Sequence, residues 1–582
     1  MQTSRGKRAP LARTIRFFMI TVFLSVLLEE SGLLSDPWAA LAWHYDADLS
    51  SWIPIRIVVS PLEISVIIIF AIWWFSRKKL KGRFNYQRVP LDTPVLVFAG
   101  AIAFSFLNGM LAGGDNTTIA LWEIRGFLMM ITIYFLTGIL IRDDHSMNQL
   151  VWAIFIGATG LAIENIYRRF AFSALVLSDP LAYDHIDSVM LGCAIVLAIA
   201  LFTFGGTRAQ RRFAAFALPV WFFSTLVMER RAAFPVIGIG IVVLAIFIIR
   251  LRPRLFWTYA PPIIILSAIY LAIFWNNTGT LGQPARALSS MITPDPRDYA
   301  SNLYRALEKL DILANVQAHP IFGLGFGQQY IFYTPLPNLS FWPFWHYMSH
   351  NADLWVWMKM GAIGFIIFWW LIGRAAYDGS VVVETQRQEW NVVAALMRRL
   401  KPRNGSRGNA VARKNDVRMV IRTESARSRR GKMLGLNTPV WQRSAERNSK
   451  TALPNASLAL LVTSICMIPM QIVYSYVDLG LTSERDMLLF GLMIGLLAHG
   501  YSLLGVKPTD GKKRTATRTR KLSDSEILVT EVEDFLRELA PTRTETGKPQ
   551  RKNPISPALP TRTSNVRPEA SPQDESGTCD ET

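Results

Sequence analysis

Ser301–Trp370 reads SNLYRALEKLDILANVQAHPIFGLGFGQQYIFYTPLPNLSFWPFWHYMSHNADLWVWMKMGAIGFIIFWW. A polar, helix-like segment carrying Arg305 runs into a glycine-rich turn, then an aromatic loop, then Ser349-His350-Asn351 at the mouth of an apolar run. That run has the length of a helix crossing a bilayer, about 20 residues for ~30 Å of hydrocarbon. The stretch therefore joins a water-facing loop to a membrane span, and its pattern decides the fold class.

Runs of the same kind recur outward from it. They fall near 53–75, 92–111, 119–141, 148–167, 187–204, 213–228, 233–249, 256–275, 351–373, 456–476 and 486–505. One more precedes them, behind the basic residues Arg5, Lys7, Arg8 and Arg13 and ending near Leu28. No small-residue cleavage site follows it directly, so it reads as an uncleaved first helix. The composition agrees: of 582 residues 51% are hydrophobic, with 18 Trp and 33 Phe. A soluble chain of this length would split into several domains. The expectation is an all-α polytopic membrane protein of about 12 transmembrane helices.

Charge tests that layout. With the N-terminus inside, the inner connections carry Arg77, Lys78, Lys79, Lys81 and Arg83, then Arg208, Arg211 and Arg212, then Arg250, Arg252 and Arg254. The segment 374–453 adds 18 Lys/Arg against 6 Asp/Glu. Every strongly basic short connection thus lands on one side, as the positive-inside rule demands. One span more or fewer would break the agreement.

The organisation that follows is helices one to nine over 1–275, an outer loop over 276–350, and span ten over 351–375. A basic, disordered inner loop covers 376–453, the last two spans 454–505, and a mostly disordered inner tail 506–582. The Arg-rich tract 400–450 reads as a topology anchor or a contact with anionic headgroups rather than a nucleic-acid site. Within the tail, Ser523 and Glu526 form a capping-box pattern ahead of Leu528, Val532, Phe535, Leu536 and Leu539, which marks a short docking helix. Cys193, Cys466 and Cys579 are too far apart for a disulfide framework or metal knuckle. Seven histidines supply a multi-histidine metal site poorly.

The informative residues defy the charge rule. Met228-Glu229-Arg230-Arg231-Ala232 is a short outer turn, which holds both guanidinium groups near the membrane boundary. Arg168 and Arg169 end span five on the same side, where snorkelling or pairing with Glu164 or Glu229 competes with a functional role. The outer loop adds Arg286, Arg297 and Arg305. Arg305 sits among Leu303, Leu307, Leu310 and Leu313, spaced to pack down on something apolar. Arginines at an outer face suit a lipid diphosphate, because the planar fork donates two parallel bonds to phosphate oxygens and stays charged. A diphosphate leaving group requires such charge stabilisation.

His350 is the candidate base. A sugar hydroxyl is a weak nucleophile, and imidazole is the usual group to take its proton near neutrality. Ser349 and Asn351 are candidate caps that would fix its orientation; His319 and His346 compete with it. Gly323, Gly325 and Gly327 form a tight turn rather than a dinucleotide loop, since no strand precedes them.

Arg305 through Gly364, with R…HPIFGLGFG…HN…G..G, resembles the core signature of the O-antigen ligase and Wzy-type polymerase family. Arg230-Arg231-Ala232 is similar to that family's Ser-Arg-Gly element. The match covers about 70 residues plus the arginine element, in a compatible topology. Arg230 stands where serine is usual, Lys359 where an acidic residue is common, and the insertion 376–453 is long. The resemblance implies a glycosyltransferase with a GT-C-like helical body in a bacterial inner membrane, both termini cytoplasmic and the active site periplasmic. It implies transfer of a glycan from undecaprenyl diphosphate to a hydroxyl on lipid A core or another glycan, without metal or cofactor. Arg231 and Arg305, with Arg230 beside them, then become the diphosphate ligands, and His350 the catalytic residue.

Two other readings bear on the same residues. Asp46 and Asp48, in His44-Tyr45-Asp46-Ala47-Asp48, form a D-x-D pair of the kind that binds a divalent cation in metal-dependent glycosyltransferases. A lipid-linked glycan flippase would show repeated halves and mid-membrane polar groups. Neither is visible here, where the ionisable residues cluster at span ends.

Overall fold

A computed structural model describes residues 9–28, 59–77, 86–113, 116–171, 186–277, 279–338, 344–400 and 456–503. Asp46, Asp48, most of the basic tract and the Ser523–Ala540 segment lie outside the described residues. Those described are helical and contain no strand. Each run read as a span is a helix: α1 (Ala9–Leu27), α2 (Pro61–Arg77), α3 (Asp92–Leu111), α4 (Thr117–Leu140), α5 (Asp144–Ala171), α6 (Asp187–Phe204), α7 (Arg208–Val227), α8 (Ala233–Leu251) and α9 (Pro253–Phe274). Two loop helices follow, α10 (Gln283–Ile292) and α11 (Pro296–Ala318), then α12 (Ala352–Leu400), α13 (Ala456–Val477) and α14 (Glu484–Leu503). Eight of them are long and apolar enough to cross a bilayer, and α2 is a shorter apolar helix. This is a polytopic, membrane-embedded helical protein.

Small residues set the closest packing. Gly491 and Gly495 of α14 lie against the backbone of Met130 and Tyr134 on α4, so any side chain there would collide. Lipid offers no hydrophobic drive between helices, and glycine lets backbones approach for dispersion contact instead. The wider core includes Phe98, Phe127, Trp221 and Trp355, all fully buried. By contrast α9 buries no residue, and its Ile263, Ile264, Ile265 and Leu266 point away from the body.

Two features depart from the sequence reading. The backbone of α12 stays helical to Leu400, beyond the expected boundary near 373. Inside it, Gly361 breaks the helix with a φ of 64° and a ψ of −175°. The break frees backbone groups, and the glycine-rich turn takes them up. Leu324 and Gly325 donate their N–H groups to the carbonyls of Met358 and Lys359 at 2.9 and 3.0 Å. In return Ala362 and Ile363 donate to Pro320 and Ile321 at 2.9 and 3.4 Å. Such exchange is what makes irregular backbone tolerable at membrane depth, where an unsatisfied group costs several kcal/mol. Gly325 has a φ of +87° and no room for a Cβ against the backbone of Gly109. Gly325→Ala is therefore expected to cost at least ~1–3 kcal/mol in strain alone, read as a lower unfolding temperature of the purified protein.

Beneath the turn lies a fully buried ion pair. Lys359 Nζ stands 2.7 Å from Glu123 Oε1, both side chains at 0% exposure. Glu123 also accepts the Gly327 N–H, and Lys359 donates to the Gln328 carbonyl. The pair thus clamps the turn between α4 and α12. Lys359 on α12 thus has its partner supplied from another helix, α4.

Candidate functional site

Three segments build the site: the turn between α7 and α8, the α10–α11 pair, and the residues leading into α12. The turn is strained. Glu229 has a φ of 55°, unusual for a residue with a side chain. Its carboxylate receives Arg169 at 2.9 Å, which ties the turn to the end of α5. Arg168 points elsewhere; it is fully buried and paired with Glu164 on its own helix. The two arginines at the end of α5 are thus structural in their contacts, and the turn presents Arg230 and Arg231.

Arg231 reaches the loop helices. Its Nη2 lies 3.3 Å from Asp298 Oδ1 on α11, and its Nη1 is 3.5 Å from the Ser290 hydroxyl on α10. Burial lowers its affinity for the proton; Asp298 opposes this, while Arg305 and Arg286 reinforce it. Arg286 pairs with Asp295 at 2.5 Å and approaches Asp298 at 3.5 Å. Arg305, half-buried on α11, makes no ion pair or hydrogen bond among the described residues. Its charge nevertheless bears on both Arg231 and His350.

His350 sits where α12 begins. Asn351 caps that helix, its side chain accepting the Leu354 N–H at 3.0 Å. Glu308 of α11 holds the histidine twice: the His350 N–H donates to Oε2 at 3.0 Å and Nδ1 lies 3.2 Å from Oε1. A charged carboxylate only accepts, so Nδ1 carries the proton and Nε2 is left as the basic atom. The Tyr304 ring stands edge-on to the imidazole at 5.5 Å. Burial pushes the His350 pKa down, but the Glu308 hydrogen bond and charge, with Asp478 adding, raise it above the ordinary 6.5 against the opposing Arg305. At 28% exposure the ring remains reachable.

The competitors stand apart. His319 is exposed at the end of α11, and the His346 ring stacks on Phe332 at 4.7 Å. The leucines of α11 are placed unevenly, Leu307 and Leu313 being half-buried. Leu303 and Leu310 are 45% and 56% exposed, whereas Glu308, Asp311 and Asn315 are buried. The polar face packs inward because its partners are polar. Asp311 accepts the N–H groups of Tyr333 and Thr334 at 2.9 and 2.8 Å, and Asn315 pairs with the backbone of Ile331. The aromatic loop is thereby fastened along α11.

The structure thus brings Arg231, Arg305 and His350 to one end of the bundle, with Arg230 in the same turn as Arg231. Compared with protein-family models and with curated proteins, the chain matches none. Among the described residues no group of three or more His, Cys, Asp or Glu side chains is placed to hold a metal ion. Sequence reasoning missed Glu308 and Asp298. The only signal for Glu308 was its position one turn after Tyr304 and Arg305 on an amphipathic segment.

Proposed function

We propose that the chain is a membrane glycosyltransferase that moves a glycan from undecaprenyl diphosphate to an acceptor hydroxyl, as an O-antigen ligase or polysaccharide polymerase does. The observation that carries this is the convergence of Arg231 and Arg305 with a histidine whose basic nitrogen is set by a buried carboxylate. In this reading the body is a twelve-span, GT-C-like bundle in a bacterial inner membrane. Both termini are cytoplasmic, and the site faces the periplasm.

The arginines hold the diphosphate. His350 Nε2 takes the proton of the acceptor hydroxyl while its oxygen bonds to the anomeric carbon. The bond from that carbon to the diphosphate oxygen breaks, and the diphosphate leaves with the electron pair. Guanidinium charge is aimed at the oxygens where negative charge grows, which is where it lowers the barrier. Glu308 keeps the imidazole in one tautomer and turned toward the acceptor.

The test is reconstitution in vesicles with an undecaprenyl-diphosphate glycan and an acceptor glycan or lipid A core. A new glycosidic product together with released undecaprenyl diphosphate supports the reading. Movement of the donor across the vesicle without bond formation would sink it. Loss of product with a chelator would transfer the chemistry to Asp46 and Asp48.

A pH prediction follows from Glu308. The base must be neutral, so the rate rises with pH through the His350 pKa, which lies above 6.5. Glu308→Gln removes the charge that raises it. The inflection is expected to move to lower pH, with kcat falling at the plateau because the tautomer is no longer fixed. An unmoved inflection would separate Glu308 from the proton transfer.

A further inference from the structure

The cations at this site are not equivalent. Arg305 has no anionic partner among the described residues, yet Arg231 and Arg286, on different elements, converge on one carboxylate, Asp298. That carboxylate is 7% exposed. Its contacts are loose: Oδ1 stands 3.3 Å from Arg231, and Oδ2 stands 3.5 Å from Arg286 and accepts no hydrogen bond. A buried acceptor without a donor is costly, and good charge-assisted bonds are markedly shorter than these.

Asp295 behaves differently. It pairs with Arg286 at 2.5 Å and caps α11, accepting the Asp298 N–H at 2.8 Å, and these bonds hold its carboxyl below the usual range. Asp295 is a fixed part of the helix start. Asp298 is the exchangeable one, lying over the positive end of α11 between two guanidinium forks.

We propose that Asp298 is a resident counter-ion of the anion site, displaced when a diphosphate binds, and that Arg286 is a further guanidinium ligand of that diphosphate. The inference rests on the reading of the site as a diphosphate site. Releasing Asp298 hands two preformed forks to phosphate oxygens. In the unliganded protein the same carboxylate keeps three clustered arginines from repelling one another.

The experiment measures binding of inorganic diphosphate to the full-length protein in nanodiscs by calorimetry, at one pH and salt concentration. Asp298→Asn keeps the shape and removes the competing charge; it is expected to bind about tenfold tighter. Arg286→Gln is expected to bind at least about tenfold more weakly, and Arg286→Lys in between. The double variant keeps only the part of the Asp298→Asn gain that acts through Arg231, the other fork that Asp298 faces. Helical circular dichroism checks each variant for folding, and Asp298→Ser stands in if the asparagine variant does not fold. Unchanged or weaker binding in folded Asp298→Asn or Asp298→Ser overturns the counter-ion, as does wild-type affinity in Arg286→Gln. Glycan transfer by the wild type is read separately. Diphosphate responses as expected without transfer would remove the glycosyltransferase reading and leave the counter-ion standing. Transfer with unaltered diphosphate affinities would do the reverse.

Discussion

His350→Ala is expected to abolish surface glycan in the native host while the lipid-linked precursor accumulates. Removing a positioned base costs ~10²–10⁴ in rate. Arg231→Ala and Arg305→Ala remove charge stabilisation of the leaving diphosphate, each worth ~10²–10³ in kcat. All three should stay folded: His350 and Arg231 are partly exposed, and Arg305 has no ionic partner among the described residues. Membrane levels of each variant, measured beside surface polysaccharide and precursor, separate lost chemistry from lost protein. Wild-type polysaccharide from all three would remove the site, and Asp46 and Asp48 would be next to change. Where transfer fails as expected, the length distribution of glycan in partially active variants such as Arg305→Lys begins to distinguish ligation from polymerisation.

The second large effect is on stability. Lys359→Met leaves the Glu123 carboxyl buried and without its counter-ion in the middle of the protein. Breaking one side of such a pair costs ~3–5 kcal/mol, whereas removing both charges is often neutral. Lys359→Met should therefore lower the unfolding temperature sharply. Adding Glu123→Gln, which still accepts the Gly327 N–H, should recover most of the loss. A single variant as stable as wild type, or a double variant no better than the single, would show that the pair contributes little. The readout is thermal unfolding in detergent, so it does not depend on knowing the substrate.

How much of this was legible in the sequence depends on the range of the interaction. Span positions were local: the helix over 92–111 begins and ends where apolar run and polar flanks place it. The cap at Asn351 was equally local. Amphipathic periodicity on α11 identified two faces but not which one turns inward. That choice was made by Tyr333, Thr334, Ile331 and His350, which offer polar partners 16 to 42 residues away in sequence. Leu303 and Leu310 consequently lie on the face turned away from these partners. The Lys359–Glu123 pair and the exchange between the glycine turn and α12 are long-range in the same sense. No spacing rule on one segment reveals a partner on another.

The break at Gly361 has a mechanical meaning for this chain. The first part of α12, which carries the His350 junction, is hydrogen-bonded across to residues 320–325 rather than continued rigidly into the rest of the span. A long lever is cut at its fulcrum. Tilt or sequence drift in the distal half of α12 need not be transmitted to the imidazole. The segment that leads in from His350 is thus positioned by the glycine turn, and the two halves of α12 meet at a break rather than as one rod.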